Sequence, residues 1–263
     1  MLSVSNGPAL AWATAVPGAS TTRLSNEHFI IAGRHTLGLG VPLQVEVHPC
    51  LCGTGNAGRP DHAMACTQTR GTATLRHDRL ASAWRRAIRR AGCATSAEPA
   101  YSSLAARHSG DPGLRRGDIL AVMPGGRIAV LDCVVTHPAA SSYLPGAART
   151  AGFAAARAER LKHTDFEQFG SGAGYEFVPL AMESYGRLGR DASRFLSELG
   201  DIAASDGRVR KGAFVRSVRQ ELSCALCRGN GAMYFQSTFS IAQAVGRQFM
   251  PGCDCPVDES GEV

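Results

Sequence analysis

The sequence predicts an α/β architecture, a mixed sheet with helices on its faces, and three observations predict it. Gly117–Pro138 reads as a β-hairpin whose second arm is almost wholly apolar. Tyr175–Glu183 (YEFVPLAME) is a further apolar strand. Around them Arg76–Ala91, Gly146–Phe169 and Arg190–Ala204 carry apolar residues at helical spacing. Strands and helices in that order bury a sheet under helical layers.

Residues 1–45 read as a partly disordered lead-in of small and polar residues, within which Phe29–Val41 has the pattern of a short helix closed by a turn at Gly38–Pro42. Residues 46–70 hold Cys50, Cys52, His62 and Cys66 in the spacing C-x-C-x9-H-x3-C. Three thiols and an imidazole in a Gly/Pro-rich segment that cannot form a core suit a Cys3His zinc site. Zinc would supply the folding energy that such a segment lacks. The spacing is not that of a standard finger, and chance clustering is the alternative.

Arg76–Ala91 places Leu80, Ala83, Trp84, Ala87, Ile88 and Ala91 on one face and arginines on the other, and Gly92 ends the helix. A solvated basic face explains that pattern without any ligand. His77 and Asp78 then fall in the first turn, where Asp78 suits the helix dipole. Cys93–Tyr101 reads as a short strand with Glu98 near its end, and residues 102–116 as a loop ending in Arg115 and Arg116.

In the hairpin, Gly117–Met123 is one arm, Pro124-Gly125-Gly126 the turn and Arg127–Thr136 the other arm. Proline presets φ and glycine supplies positive φ. The run IAVLDCVV is apolar and β-branched enough to be a central strand buried on both faces. Its one charge is Asp132. A three-residue loop sets Met123 opposite Arg127 and, counting outward, Asp118 opposite Asp132. Directly opposed like charges destabilise a sheet, and a bound divalent cation is the commonest reason to find two acids so placed. A looser register, with Asp118 merely at a strand start, is the alternative. His137-Pro138 stops the arm, and Ala139–Pro145 is a small-residue loop.

Gly146–Phe169 is alanine-rich, with Ala151, Ala154, Ala158, Leu161 and Phe169 as the expected buried stripe and Glu159, Lys162 and His163 at its edge. Pro179 inside the following strand implies an edge strand or a bulge. After Arg190–Ala204 and a basic loop at residues 205–213, Ala213–Val245 is helical, with a break expected near Arg228-Gly229-Asn230-Gly231. The tail from Pro251 is acidic and reads as loose. Cys224, Cys227, Cys253 and Cys255 give C-x2-C and C-x-C, which is either a second zinc site or, for the first pair, two small core residues.

Composition narrows the function classes. No apolar run reaches the ~18 residues of a membrane span. The N-terminus lacks the basic start and sustained apolar run of a secretory signal. Nine cysteines, an odd number, favour metal ligands and free thiols over a disulfide framework. Net charge is +6, and 26 of the 28 basic residues are arginine, the lysines being Lys162 and Lys211. Clusters at Arg76–Arg90, Arg115-Arg116 and Arg208–Arg219 suit an anionic partner such as nucleic acid. A GC-rich coding sequence explains the arginine bias equally well.

A Cys/His cluster, a basic helix, a Gly-Asp-Ile strand, a strand with Asp-Cys-Val-Val-Thr-His-Pro and then a helix carrying a lysine follow one another here. That order resembles the restriction-enzyme-like endonuclease domain, a branch of the PD-(D/E)XK nuclease fold, at the C-terminus of site-specific non-LTR retrotransposon proteins. Arg76-His77-Asp78, Phe177-Val178-Pro179 and Leu226-Cys227-Arg228-Gly229-Asn230 resemble stretches of retrotransposon-derived reading frames. The resemblance covers roughly Cys50 to Pro251. It implies a restriction-endonuclease-like core at residues 71–205 and a helical extension with a loose tail at 206–263. Asp118 matches the first acid of the family, Asp132 the second, and Lys162 a lysine moved from the strand onto the following helix. Two positions depart from the pattern: Gly117 stands in place of a proline, and Val134 where the strand lysine would be. The family's upstream reverse-transcriptase part has no counterpart here, so the chain reads as a fragment, a truncated element or a domesticated tail.

The resemblance implies a metal-dependent DNA endonuclease that nicks its target. Asp118 and Asp132, joined by Glu98, would hold Mg2+, and Lys162 would assist the attacking water. Arg76, Arg85, Arg86, Arg89, Arg115 and Arg116 would grip phosphates. Zinc on Cys50, Cys52, His62 and Cys66 would position DNA or pin the lead-in. DNA, with retroelement RNA as a second partner, and a nuclear location follow. In so arginine-rich a chain a lysine is notable, because its pKa can shift near a reacting water and that of arginine cannot; a lysine on a helix surface is the plain alternative. A catalytically inactive nucleic-acid-binding tail is the competing function. A hydrolase built on Cys133 and His137 is disfavoured, since Cys133 alternates to the face opposite Asp132 and burial opposes its thiolate.

Overall fold

The computed structural model describes residues 7–39, 50, 52–53, 60–97, 117–169 and 175–249. Along the chain run α1 (Asn26–Thr36), α2 (Pro60–Ala65), α3 (Arg70–Arg90), β1 (Ala94–Ala97), β2 (Ile119–Val122), β3 (Ile128–Thr136), α4 (Leu144–Ala147), α5 (Phe153–Phe169), β4 (Glu176–Glu183), α6 (Arg190–Ala204) and α7 (Lys211–Phe249). The strands form one sheet in the order β1-β2-β3-β4. The β1/β2 and β2/β3 pairs are antiparallel and β3/β4 is parallel, so the α/β class with a mixed sheet is as the sequence predicts. Among the described residues no helix is long and apolar enough to cross a membrane.

The hairpin has the expected register. Met123 N–H donates to the Arg127 carbonyl at 2.7 Å, and the pairs run from Val122↔Ile128 to Ile119↔Leu131. Gly125 and Gly126 have φ of +76° and +78°, conformations that side chains rarely adopt, which is why two glycines follow Pro124. β4 lies at the sheet edge with Pro179 opposite Asp132, where the missing N–H of proline costs least.

Successive residues of β3 face opposite ways, and the two faces carry different layers. Leu131 and Cys133 join Trp84 and Ile88 of α3, Leu196 and Leu199 of α6, and Leu222 and Leu226 of α7 in the main core. On the other face α5 sets Ala155 and Ala158 against Val134 and Ala181, and Phe166 stacks on Phe177 with centroids 4.4 Å apart. Because its residues belong to the main core, α7 completes the sheet's helical layer.

Four expectations are corrected. Residues 7–14, placed in a loose lead-in, form a 3-10 helix against α7, with Trp12 N–H donating to Ser223 Oγ at 3.1 Å. Helix α3 begins six residues before Arg76, and Ala73 in that added stretch packs against the cluster of Ile31, Ala63, Met64, Met233 and Tyr234, a tertiary contact no local pattern reveals. Helix α5 begins at Phe153, since Gly152 with φ +79° interrupts the chain; Ala154, Ala155, Ala158 and Phe166 are buried, while Leu161 is 54% exposed and Ala151 is exposed. Finally, α7 runs unbroken through Arg228–Gly231. A Cβ on Gly229 would overlap the Arg76 side chain, and one on Gly231 the His28 ring. These glycines mark close helix contact, and that packing offsets their cost of ~1 kcal/mol each.

A buried aromatic cluster ties α1 to the sheet. His35, 4% exposed, stacks on Tyr185 with centroids 4.5 Å apart and shares a hydrogen bond with the Tyr234 hydroxyl at 2.9 Å. Burial pushes its pKa down from 6.5 to about 4. The neutral ring is thus favoured in the folded protein, so His35's contribution is complete above pH 6.5 and is lost as pH falls toward 4. A shift of this size is worth at most ~3 kcal/mol. Urea midpoints of the wild type and His35→Phe, measured from pH 7.5 to 4.5, should converge on acidification, and parallel curves would refute the assignment.

Candidate functional site

Asp118 lies immediately before β2 and Asp132 in the middle of β3, next outward from the Ile119↔Leu131 pair. Oδ2 of Asp118 accepts the Cys133 N–H at 2.6 Å and faces His77 Nε2 at 3.0 Å. Its Oδ1 has no partner among the described residues. Lys162 Nζ, reaching over from α5, stands 2.9 Å from each oxygen of Asp132. The small side chains of Ala155 and Ala158 let α5 settle close on β3, and position 162, one turn beyond Ala158, then overlies Asp132. The sequence-predicted Asp118, Asp132 and Lys162 are therefore together at one place.

Charge is balanced within the cluster. Asp132 is 6% exposed; burial pushes its carboxyl pKa up, Lys162 opposes that, and the charge of Asp118 adds to it. His77 is raised to about 9, first by its hydrogen bond to Asp118 and then against its own burial, so its ring is an imidazolium at neutral pH. Its Nδ1 faces Asp78 at 3.2 Å. Two carboxylates, an ammonium and an imidazolium thus meet at the hairpin.

His77 was missed as a site residue because the helix seemed to start at Arg76. A usable signal existed: position 77 lies three before Leu80 and seven before Trp84, on the side of α3 that faces the sheet. Arg76 departs in the other direction. It is buried, donating from Nη1 to Asn230 Oδ1 at 3.1 Å and lying 3.5 Å from Met64 Sδ, because α7 covers that turn. It is not on the exposed basic face. Arg85 is half-exposed and bonds Ser82; Arg89 is exposed and bonds Thr95. Arg86 stands 4.0 Å from Glu221, which Arg90 holds more closely. Glu98, Arg115 and Arg116 lie outside the described residues.

The four expected zinc ligands also converge. Cys50 Sγ is 3.5 Å from Cys66 Sγ, Cys52 Sγ is 3.4 Å from His62 Nε2, and the four donors all lie within 4.8 Å of one another. A tetrahedral Zn–S shell with bonds of about 2.3 Å separates sulfurs by roughly 3.8 Å, close to this spacing. This Cys3His group could hold a metal ion such as zinc. Metal-free, burial drives the Cys66 thiol up to about 12, so a cation is needed to make it a thiolate. Cys224 and Cys227 are buried on α7, and their expected partners Cys253 and Cys255 lie outside the described residues.

Two further nucleophile arrangements are structural. Cys133 is buried, which raises its pKa well above the ordinary thiol value. Ser184 Oγ is 2.7 Å from His137 Nδ1, and His137 Nε2 is 3.4 Å from Asp61 Oδ1, a serine–histidine–aspartate string. The serine is 1% exposed and the void beside it is only about 10 Å³, so no acyl substrate can reach it. The string instead joins α2 to the sheet end, with Tyr185 Oη donating to Asp61 at 2.6 Å.

Compared with known proteins, the chain matches no family model and no curated sequence.

Proposed function

We propose that the protein is a metal-dependent DNA endonuclease with a restriction-endonuclease-like core, of the kind found at the C-terminus of non-LTR retrotransposon proteins, acting on nuclear DNA. The meeting of Asp118, Asp132 and Lys162 at one hairpin is the observation that carries this reading. Two carboxylates are the hard oxygen donors Mg2+ prefers. Asp118 Oδ1 is free to bind, and a cation would relieve the charge that Asp118 and Asp132 impose on each other. When bound, Mg2+ supplies an activated water and neutralises charge on the scissile phosphate. Lys162 orients that water or donates a hydrogen bond to the phosphoryl oxygen that gains charge. His77 and the Cys133 N–H fix the Asp118 carboxylate. Asp61 fastens the zinc segment to Tyr185 and His137 at the end of the sheet. DNA is the substrate, and retroelement RNA a second partner.

A second reading, an inactive nucleic-acid-binding tail, is favoured by one observation: His77 and Lys162 already neutralise both acids without a metal. Plasmid nicking separates the two. The wild type should nick with Mg2+ and stop with EDTA. Asp132→Asn and Asp118→Asn should each lose at least ~100-fold in rate with DNA affinity retained. Wild-type DNA binding without nicking would leave only the second reading, and Asp132→Asn at full rate would end the first.

A further inference from the structure

We propose that a cleft between α3 and α7, lined by Arg79, Arg86 and Arg228, is a phosphodiester site that holds a nucleic-acid strand. This inference rests on the endonuclease reading and assigns its substrate a second place on the protein.

The cleft has a volume of about 350 Å³ and is also lined by Ser20, Thr21, Asp78 and Ser82. Three guanidinium groups border it, and among the described residues only that of Arg86 lies within 4.0 Å of an acid. Arg79 is exposed and has no hydrogen-bond or ion-pair partner among the described residues. Arg86 Nε is buried without a hydrogen-bond partner; its nearest acid is Glu221 at 4.0 Å, and Arg90 already takes that carboxylate. Arg228 is held in place by donating to the carbonyls of Ser20, Thr21 and Arg23 at 3.1 Å or less, none of which carries a negative charge. Among the described lining residues the one acid is Asp78, whose Oδ1 stands 3.2 Å from His77 Nδ1. Burial lowers the Arg228 pKa, Cys224 and Cys227 oppose that, and Arg79 and Arg86 are close enough to add to it, so an anion in the cleft would be a counter-ion to all three guanidinium groups. A phosphate supplies that counter-ion. Ser82 Oγ accepts from Arg85 at 3.1 Å, which leaves its own hydroxyl hydrogen free for an anion.

The cleft and the acidic pair share only helix α3: Asp78 borders the cleft, and His77 binds Asp118. From His77 to Ser82 is five residues, a rise of roughly 7.5 Å along the helix. The cleft and the His77–Asp118 contact therefore lie on different sides of α3, less than two turns apart along its axis.

The test uses the full chain and measures affinity for a DNA duplex over a range of salt, without Mg2+. Arg228 is left intact because it fastens the N-terminal segment. Arg79→Gln/Arg86→Gln should bind at least about tenfold more weakly near physiological salt, with the slope of log affinity against log salt reduced by about one to two. Arg79→Lys/Arg86→Lys keeps both charges and should restore the slope, showing that a lost fold is not the cause. Arg194→Gln, an exposed arginine paired with Asp191, should change neither quantity. Wild-type binding that the double Gln variant leaves unaltered overturns the cleft assignment while nicking still supports the endonuclease. Weakened binding by that variant in a protein that never nicks keeps the cleft and removes the nuclease. No DNA binding by the wild type removes both.

Discussion

Replacing Lys162 with arginine is expected to lower Mg2+-dependent nicking by about 100-fold or more with DNA affinity changed by less than about threefold. The expectation comes from what the two side chains can do at this place. Lys162 sits 2.9 Å from both oxygens of a carboxylate that is 6% exposed. Arginine would preserve the charge that holds Asp132 ionised. It would not fit a compact ammonium's place, and it cannot take part in proton movement. If Lys162 is only the counter-ion of Asp132, the arginine variant should work nearly as well as the wild type, and that result would remove Lys162 from the mechanism. Lys162→Met makes a separate demand. Without the ammonium, burial and the charge of Asp118 push the Asp132 pKa higher still, so the ionised fraction falls at any given pH. Activity of the methionine variant should then climb with pH beyond the point where the wild type levels off. The arginine variant, which keeps Asp132 charged, should be low at every pH.

How far the site was legible depends on which force placed each residue. The Asp118–Asp132 pairing follows from local chemistry: Pro124-Gly125-Gly126 fixes the loop length, and a period of two carries the count outward. Lys162 was reached through resemblance and through its rarity in an arginine-rich chain, because 30 residues separate it from Asp132 and only the packing of α5 closes that gap. The rotation of α5 was misjudged. The pattern favoured burying Leu161, but the close approach at Ala155 and Ala158 turns it outward and Lys162 over the strand. His77 was hidden for a similar reason. The first turns of α3 pack, through Ala73, against a cluster drawn from α1, α2 and α7, and propensity had no view of that contact. Gly229 and Gly231 suggested a break when they instead admit Arg76 and His28. In each case tertiary contact overrode a correct local tendency.

Removing the metal from the Cys50, Cys52, His62 and Cys66 group should destabilise far more of the protein than those few residues. Their donors converge within 4.8 Å, and α2, which carries His62, also supplies Ala63 and Met64 to a cluster with Ile31, Met233 and Tyr234. Its Asp61 binds Tyr185 at the end of the sheet, so a melted α2 would uncover both α1 and α7. Structural zinc contributes about 10–16 kcal/mol in small peptides, and even a few kcal/mol of that coupled to the core would lower Tm by ~10 °C. Cys66→Ser, or a tight chelator on the wild type, should produce that drop together with loss of one zinc per chain by mass spectrometry. Cobalt substituted for zinc should give the visible absorption of a tetrahedral thiolate site, absent in Cys66→Ser. The Mg2+ dependence of nicking, measured below the lowered Tm, should persist in the serine variant, because Asp118 and Asp132 lie on the hairpin and not on the Cys/His segment. A chain that purifies without zinc, binds no cobalt and melts at the same temperature with or without chelator would show the convergence to be packing alone.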